Sequence, residues 1–194
     1  MNNETIPTLV ERFSRGDNAA FGELINRFQK KVYFLAYQVL GNHLDADEVL
    51  QETFVRVYKK RKELSDVANF TSFVIRIASN YAIDLVRKRK SQATATEDLT
   101  ELPGGLQLDL SRRVRTPGEI FDNKRLMVEI RKALDTLPPS QKLTAILHDV
   151  EGYSKTEIAE MLDCPEATVR SNLHIARTKL KKILVRRLAG KEKQ

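Results

Sequence analysis

The residues of this sequence best suited to chemistry are hydrogen-bond donors, and they lie together near its end. Beyond Pro165, Arg170, Ser171, His174, Arg177 and Lys181 recur three and four residues apart, which places them along one side of a helix. The opposite side carries Val169, Leu173, Ala176, Leu180 and Leu184. Arginine can donate two hydrogen bonds to a guanine edge, while serine and histidine reach bases or phosphates. Residues 169–194 hold 9 basic side chains against Glu192 alone, a balance suited to neutralising phosphates. A solvated basic helix that touches nothing would carry the same charge, so the residues before it decide the matter.

Those residues form a start signal and a turn. Ser154-Lys155-Thr156-Glu157 is a capping box, in which the Ser hydroxyl satisfies an orphan amide and Glu157 reaches back to the cap. Ile158, Ala159 and Leu162 give this short helix an apolar side, and Asp163-Cys164-Pro165 ends it. Two short helices across a tight turn, with a small residue at Ala159 where they cross, make a helix-turn-helix whose second helix fits the DNA major groove. Cys164, in that turn, reads as a small buried side chain rather than a redox switch.

A second set of polar residues interrupts an otherwise apolar helix over about residues 69–90. Phe73, Arg76, Asn80, Asp84 and Arg87 fall on one stripe, bordered by Tyr81 and closed by Arg87-Lys88-Arg89-Lys90. An aromatic ring beside an amide, ending in cations, suits unpaired bases, because stacking tolerates any sequence and Asn can read a base edge. An ordinary wetted face is the plain alternative, and a second DNA-binding unit on the same chain argues against it. Asp45, Asp47, Glu48 and Glu52 invite a third thought, a metal-dependent nuclease. Acids at a helix start need no metal to explain them, since the helix dipole favours them there, and no histidine or lysine is placed to complete a site.

The elements that must position these groups are helical throughout. Phe21, Leu24, Ile25, Phe28, Val32, Leu35 and Val39 keep helical spacing until Gly41-Asn42. The next helix runs from the acids at 45–48 to the bases at 59–62, with Val49, Thr53, Phe54 and Val57 as its buried stripe. Phe121, Met127, Val128, Ile130 and Leu134 precede Leu137-Pro138-Pro139, and a short helix over 141–150 ends near Gly152. Ser91 to Pro117, with Pro103-Gly104-Gly105, keeps no period and reads as a linker. The fold expected is all-α: two small helical domains, 1–92 and 121–188, joined by a flexible linker at 93–120, the second containing the helix-turn-helix, with a basic tail at 189–194.

Composition bounds the function. The chain has 194 residues and a formal charge of +7. The charge is distributed as +4 over residues 1–92, −3 over 93–122 and +6 over 123–194, so two basic blocks flank an acidic one. One cysteine excludes an internal disulfide, and His43, His148 and His174 alone make no zinc set. No apolar run approaches the ~18 residues of a membrane helix and no signal-peptide pattern follows Met1, so a cytoplasmic protein is expected.

In order along the chain, these features resemble the extracytoplasmic-function (ECF) sigma factors, promoter-specificity subunits of bacterial RNA polymerase. Asp45 to Tyr58 is similar to the family's polymerase-core-binding segment, which implies that Asp47, Glu48, Gln51, Glu52, Phe54, Val55 and Tyr58 face the polymerase. Phe70 to Asp84, with Arg76-Ile77-Ala78-Ser79-Asn80, is similar to the element that melts and reads the minus-ten DNA. The resemblance thus assigns that task to Phe73, Arg76, Asn80, Tyr81, Asp84, Arg87 and Lys88. Leu137 to Arg177 resembles the minus-thirty-five domain, with Lys155, Thr168, Arg170, Ser171, Asn172, His174 and Arg177 on DNA. The implied partners are core RNA polymerase, promoter DNA as duplex and as melted non-template strand, and an anti-sigma factor. Membrane insertion, a cofactor, a metal and enzymatic activity are not expected. Phe73 stands where many members have Trp, Ala167 where Gly is common, and Asn172 and Ile175 where Arg is frequent. A stand-alone helix-turn-helix regulator is the alternative, and it would leave the first block without a task.

Overall fold

A computed structural model describes residues 4–66, 69–93 and 129–189. The first helix, α1 (Ile6–Ser14), precedes the run that begins at Phe21 and places Ile6, Leu9, Val10 and Phe13 on one side. Thr5 caps it, Pro7 sits in its first turn, and Leu9, Val10 and Phe13 are buried. Asp17 then caps α2 (Asn18–Leu40), accepting from the amides of Ala19 and Ala20. The stripe Ala20, Leu24, Phe28, Val32, Leu35 and Val39 is buried along its length. Gly41 ends α2 at φ +80°, a left-handed conformation that strains a residue with a Cβ, and its amide donates to the Tyr37 carbonyl at 2.9 Å. Asn42 caps α3 (His43–Lys59), and the expected stripe of Val49, Thr53, Phe54 and Val57 is buried.

A 3-10 turn over Arg61–Asp66 precedes α4 (Phe70–Ala93), whose start is held by Asn69 Oδ1 accepting from the Ser72 amide at 3.1 Å. Phe70, Val74, Ile75, Ala78 and Ala82 pack inward. Aromatic pairs tie the bundle together: Phe13 stacks on Phe21 at 4.5 Å, and Phe28 meets Phe70 edge-on at 5.4 Å. Residues 129–134 are helical, followed by α5 (Pro139–Ala145), which opens into a π-helical turn over Ile146–Val150. α6 (Lys155–Leu162) and α7 (Glu166–Ala189) complete the helix-turn-helix.

The second region does not stand apart from the first. Leu143, Ile146, Leu147, Ile158, Met161, Val169 and Leu173 belong to one continuous apolar core with residues of α1 to α4, because α6 lies against α4 and α5 against α2 and α4. A small separate cluster of Leu137, Ala145 and Ala176, flanked by Leu134 and Leu180, stays within the second region. Polar ties cross the same boundary. Lys142, buried, donates from Nζ to the Val39 carbonyl at 3.0 Å and to Asp135 at 2.7 Å. Burial pushes its ammonium down, and Asp135 pulls the other way. Lys31 Nζ donates to the Tyr153 hydroxyl at 2.6 Å, and the Arg131 guanidinium lies 4.6 Å over the Tyr37 ring. The expected linker, 93–120 apart from Ala93, lies outside the described residues, as do Phe121, Met127, Val128 and the basic tail beyond Ala189.

Candidate nucleic-acid interface

The helix-turn-helix is built by local forces. Ser154 Oγ accepts from the Glu157 amide at 3.2 Å and Glu157 returns a bond to the Ser154 amide at 2.8 Å, so the capping box is complete. That pair holds the Glu157 carboxyl below its ordinary range. Asp163 ends α6 at φ +50°, one of the few non-glycine residues able to take that conformation, and the Cys164 amide bonds back to the Ala159 carbonyl at 3.0 Å. Cys164 is half-buried, and burial, then the neighbouring Asp163, pushes its thiol up, away from a reactive thiolate.

On α7, Val169, Leu173 and Ala176 are buried, while Leu180 and Leu184 are half-buried. Arg170, Ser171, His174, Arg177, Thr168 and Lys181 are exposed, Asn172 is half-buried, and Lys155 is exposed on α6. Two cations of this face are already paired within the chain. Arg170 donates from Nε and Nη2 to Glu166 at 3.0 and 2.6 Å, which lowers the Glu166 pKa, helped by a bond from Thr156. Arg177 donates from Nε to Asp149 at 3.2 Å and from Nη2 to its other oxygen. The first partner could have been found from its four-residue spacing. The second comes from another element and leaves no trace in local sequence.

On α4, Asn80, Asp84, Arg87 and Lys88 are exposed, and Arg76 and Tyr81 are half-buried. Phe73 departs from the expected stripe: only 8% of it is exposed. Its ring packs 6.4 Å from that of Phe70 and under the Arg76 guanidinium at 5.9 Å, so it serves the core in this arrangement. Tyr81 donates to Glu48 at 2.6 Å while Arg56 covers its ring at 4.8 Å and pairs with Glu52 at 2.7 Å. The bond to Glu48, then burial, pushes the Tyr81 phenol up to about 12. At the ends of these helices Arg89 pairs with the buried Asp45. The α3 and α4 faces are thereby tied to each other.

The outer side of α3 exposes Asp47, Glu48, Gln51, Val55 and Tyr58, with Glu52 half-buried. Phe54 is not on that side; it is buried and meets Phe21 edge-on at 6.3 Å. An acidic strip interleaved with exposed apolar groups suits docking to a basic protein surface. Among the described residues no group of three or more His, Cys, Asp or Glu gathers as metal ligands would, and no helix is long and apolar enough to cross a membrane.

Comparison with known proteins places both regions. Residues 24–92 match the family described as Sigma-70 region 2, and residues 127–180 match Sigma-70, region 4. The chain is 32% identical over 181 residues to the ECF RNA polymerase sigma-E factor of Haemophilus influenzae, covering 89% of this chain and 92% of that protein. It is 33% identical over 176 residues to the ECF RNA polymerase sigma factor SigE of Mycolicibacterium smegmatis, covering 88% of this chain but 65% of the relative's length. The fold is shared with the sigma factor RpoE of Bartonella quintana, solved in complex with the anti-sigma factor NepR. The TM-score is 0.65 at 18% identity, covering 84% of this chain and 96% of that one.

Proposed function

The chain belongs to the ECF RNA polymerase sigma factors, and from that premise we propose that it is a dissociable initiation factor that binds core RNA polymerase, directs it to particular promoters and helps open the minus-ten DNA. The observation that carries this reading is the pairing, on one chain, of an exposed donor face on α7 with a polar stripe on α4 backed by the acidic side of α3. Arg170, Ser171, His174 and Arg177 would contact the minus-thirty-five duplex. Asn80, with Arg76, Tyr81, Arg87 and Lys88, would hold a base unstacked from the non-template strand, a step that costs a few kcal/mol. Asp47, Glu48, Gln51, Glu52, Val55 and Tyr58 would dock on the polymerase. The bond-making chemistry belongs to the polymerase, and the protein works in the cytoplasm. A stand-alone regulator would leave the α3 side and the α4 stripe without a task.

The packed arrangement bears on how the factor works. By their position numbers the centres of the two promoter elements lie about 25 base pairs apart, roughly 85 Å along the duplex at ~3.4 Å per pair. A compact chain of this length has a radius of gyration near 16 Å and is roughly 40 Å across. The two regions therefore cannot engage both elements while α6 lies on α4, and docking on the polymerase must separate them. An anti-sigma factor that favours the packed arrangement would oppose initiation by population shift alone.

The test is transcription from a genomic promoter pool with core polymerase, with and without the purified protein. The expected outcome is run-off products from a limited promoter set only when the protein is present; products identical to those of core alone would refute the proposal.

A further inference from the structure

An acid beside a DNA-reading helix works against affinity, since it faces the same phosphates. Asp149 is such an acid, and its surroundings argue that it does more than sit there. It lies on the π-helical turn Ile146–Val150, where Glu151 N bonds five residues back to the Ile146 carbonyl at 3.0 Å. The extra residue in that turn displaces Asp149 from the register a continuous α-helix would impose. The turn is anchored at several points: Ile146 and Leu147 are in the core, Tyr153 N bonds to the Leu147 carbonyl at 3.0 Å, and a ring nitrogen of His148 lies 2.7 Å from the Tyr153 carbonyl. Gly152 closes it at φ +80°.

From this turn the carboxylate takes the side edge of Arg177, one oxygen bonding Nε and the other Nη2. A guanidinium held on that edge has its plane fixed and keeps its end-on edge open. The Arg177 side chain remains 54% exposed. By contrast, Arg170 pairs with Glu166 one turn away on the same helix, an arrangement common on any helix surface.

We propose that Asp149 is a positioning residue for duplex readout, holding Arg177 so that its open edge meets the O6 and N7 of a guanine in the major groove. This rests on α7 being the duplex-reading helix. It implies that part of the promoter preference is set outside the helix-turn-helix, by the turn that precedes it. The acid lowers general affinity for DNA and raises discrimination.

The experiment uses holoenzyme formed with the cognate core polymerase. Its binding is measured on a selected promoter, on variants with each upstream base pair changed in turn, and on an unrelated duplex. Asp149→Ala is expected to reduce the preference about tenfold at the base pair where Arg177→Ala reduces it, the scale of one bidentate contact. Affinity for the unrelated duplex should stay level or rise, Asp149→Glu should restore part of the preference, and the double variant should be no worse than Arg177→Ala. Asp149 is outside the core, and an unchanged melting temperature checks that the variants fold. An unaltered base profile with affinity raised equally on all duplexes would make Asp149 a mere screening charge and overturn the proposal. An Arg177→Ala variant that weakens all duplexes alike would place Arg177 on phosphate and overturn the guanine assignment. Loss of promoter preference in the wild-type holoenzyme itself would instead refute the proposed function.

Discussion

The two basic faces of the molecule are held in different ways. The α7 face is exposed, with Arg170 and Arg177 each held by a carboxylate of their own region. The α4 face is bound up with its neighbours: Tyr81 is tied to Glu48 of α3, Phe73 is in the core, and α6 lies against α4. A duplex can meet the first without any rearrangement. The outer groups of the second, Asn80, Asp84, Arg87 and Lys88, are exposed as well, so it is Phe73, held in the core, that sets the two faces apart. The difference teaches that two basic faces of one chain can be held in unlike ways, one by carboxylates that leave its side chains exposed and the other by aromatic packing and a tie to the neighbouring helix.

The largest effect that would break this comparison is in the shared core. Ile158 of α6 is fully buried in the core that also holds α4. Ile158→Ala should cost about 2–5 kcal/mol, as cavities of this kind do. Calorimetry should register the loss in a single transition that includes the first region. Two transitions, only one of them shifted, would mean that the regions are independent.

The next effects sharpen the division of labour. Arg170→Ala should weaken binding to the upstream duplex by roughly 1–3 kcal/mol in holoenzyme assays. Asn80→Ala should leave that binding within about 0.5 kcal/mol, as separate sites do, while slowing opening as followed by 2-aminopurine fluorescence. Equal effects of both changes on both steps would erase the distinction.

The smallest effect concerns the tie between α3 and α4. Tyr81→Phe should cost at most about 1 kcal/mol by loss of a bond to an exposed, solvent-screened carboxylate. Because the Tyr81 phenol is raised from its ordinary value of 10.0 to about 12, its contribution is fully present below pH 10 and is lost as pH climbs toward 12. Denaturant unfolding of wild type and variant should therefore converge across that interval. A difference that stayed constant with pH would show that Tyr81 is not bonded to Glu48.

Much of this was legible from residue order. The stops at Gly41 and Asp163-Cys164-Pro165, the Ser154 capping box and the buried line of Val169, Leu173 and Ala176 all follow from contacts within four residues. The site was less so. Phe73 belongs by spacing to the polar stripe, yet a residue at the border of an apolar helix goes wherever its neighbours leave room, and Phe70 and Arg76 close over it. Phe54 is buried by its spacing but polymerase-facing by the resemblance, and the spacing prevails: it packs on Phe21. The short α1 was as legible as any: Thr5 and Pro7 open it, and Ile6, Leu9, Val10 and Phe13 keep helical spacing.

The sequence by itself determined most of the helices, their ends, the apolar line of α7 and the family to which the chain belongs, because capping, periodicity and motif order are properties of neighbouring residues. Only the tertiary structure decided that α6 would cover α4, that Lys142 would reach the Val39 carbonyl, and that Asp149 would hold Arg177. These contacts join groups 28 or 103 residues apart, and their geometry depends on how the helices pack rather than on any local spacing.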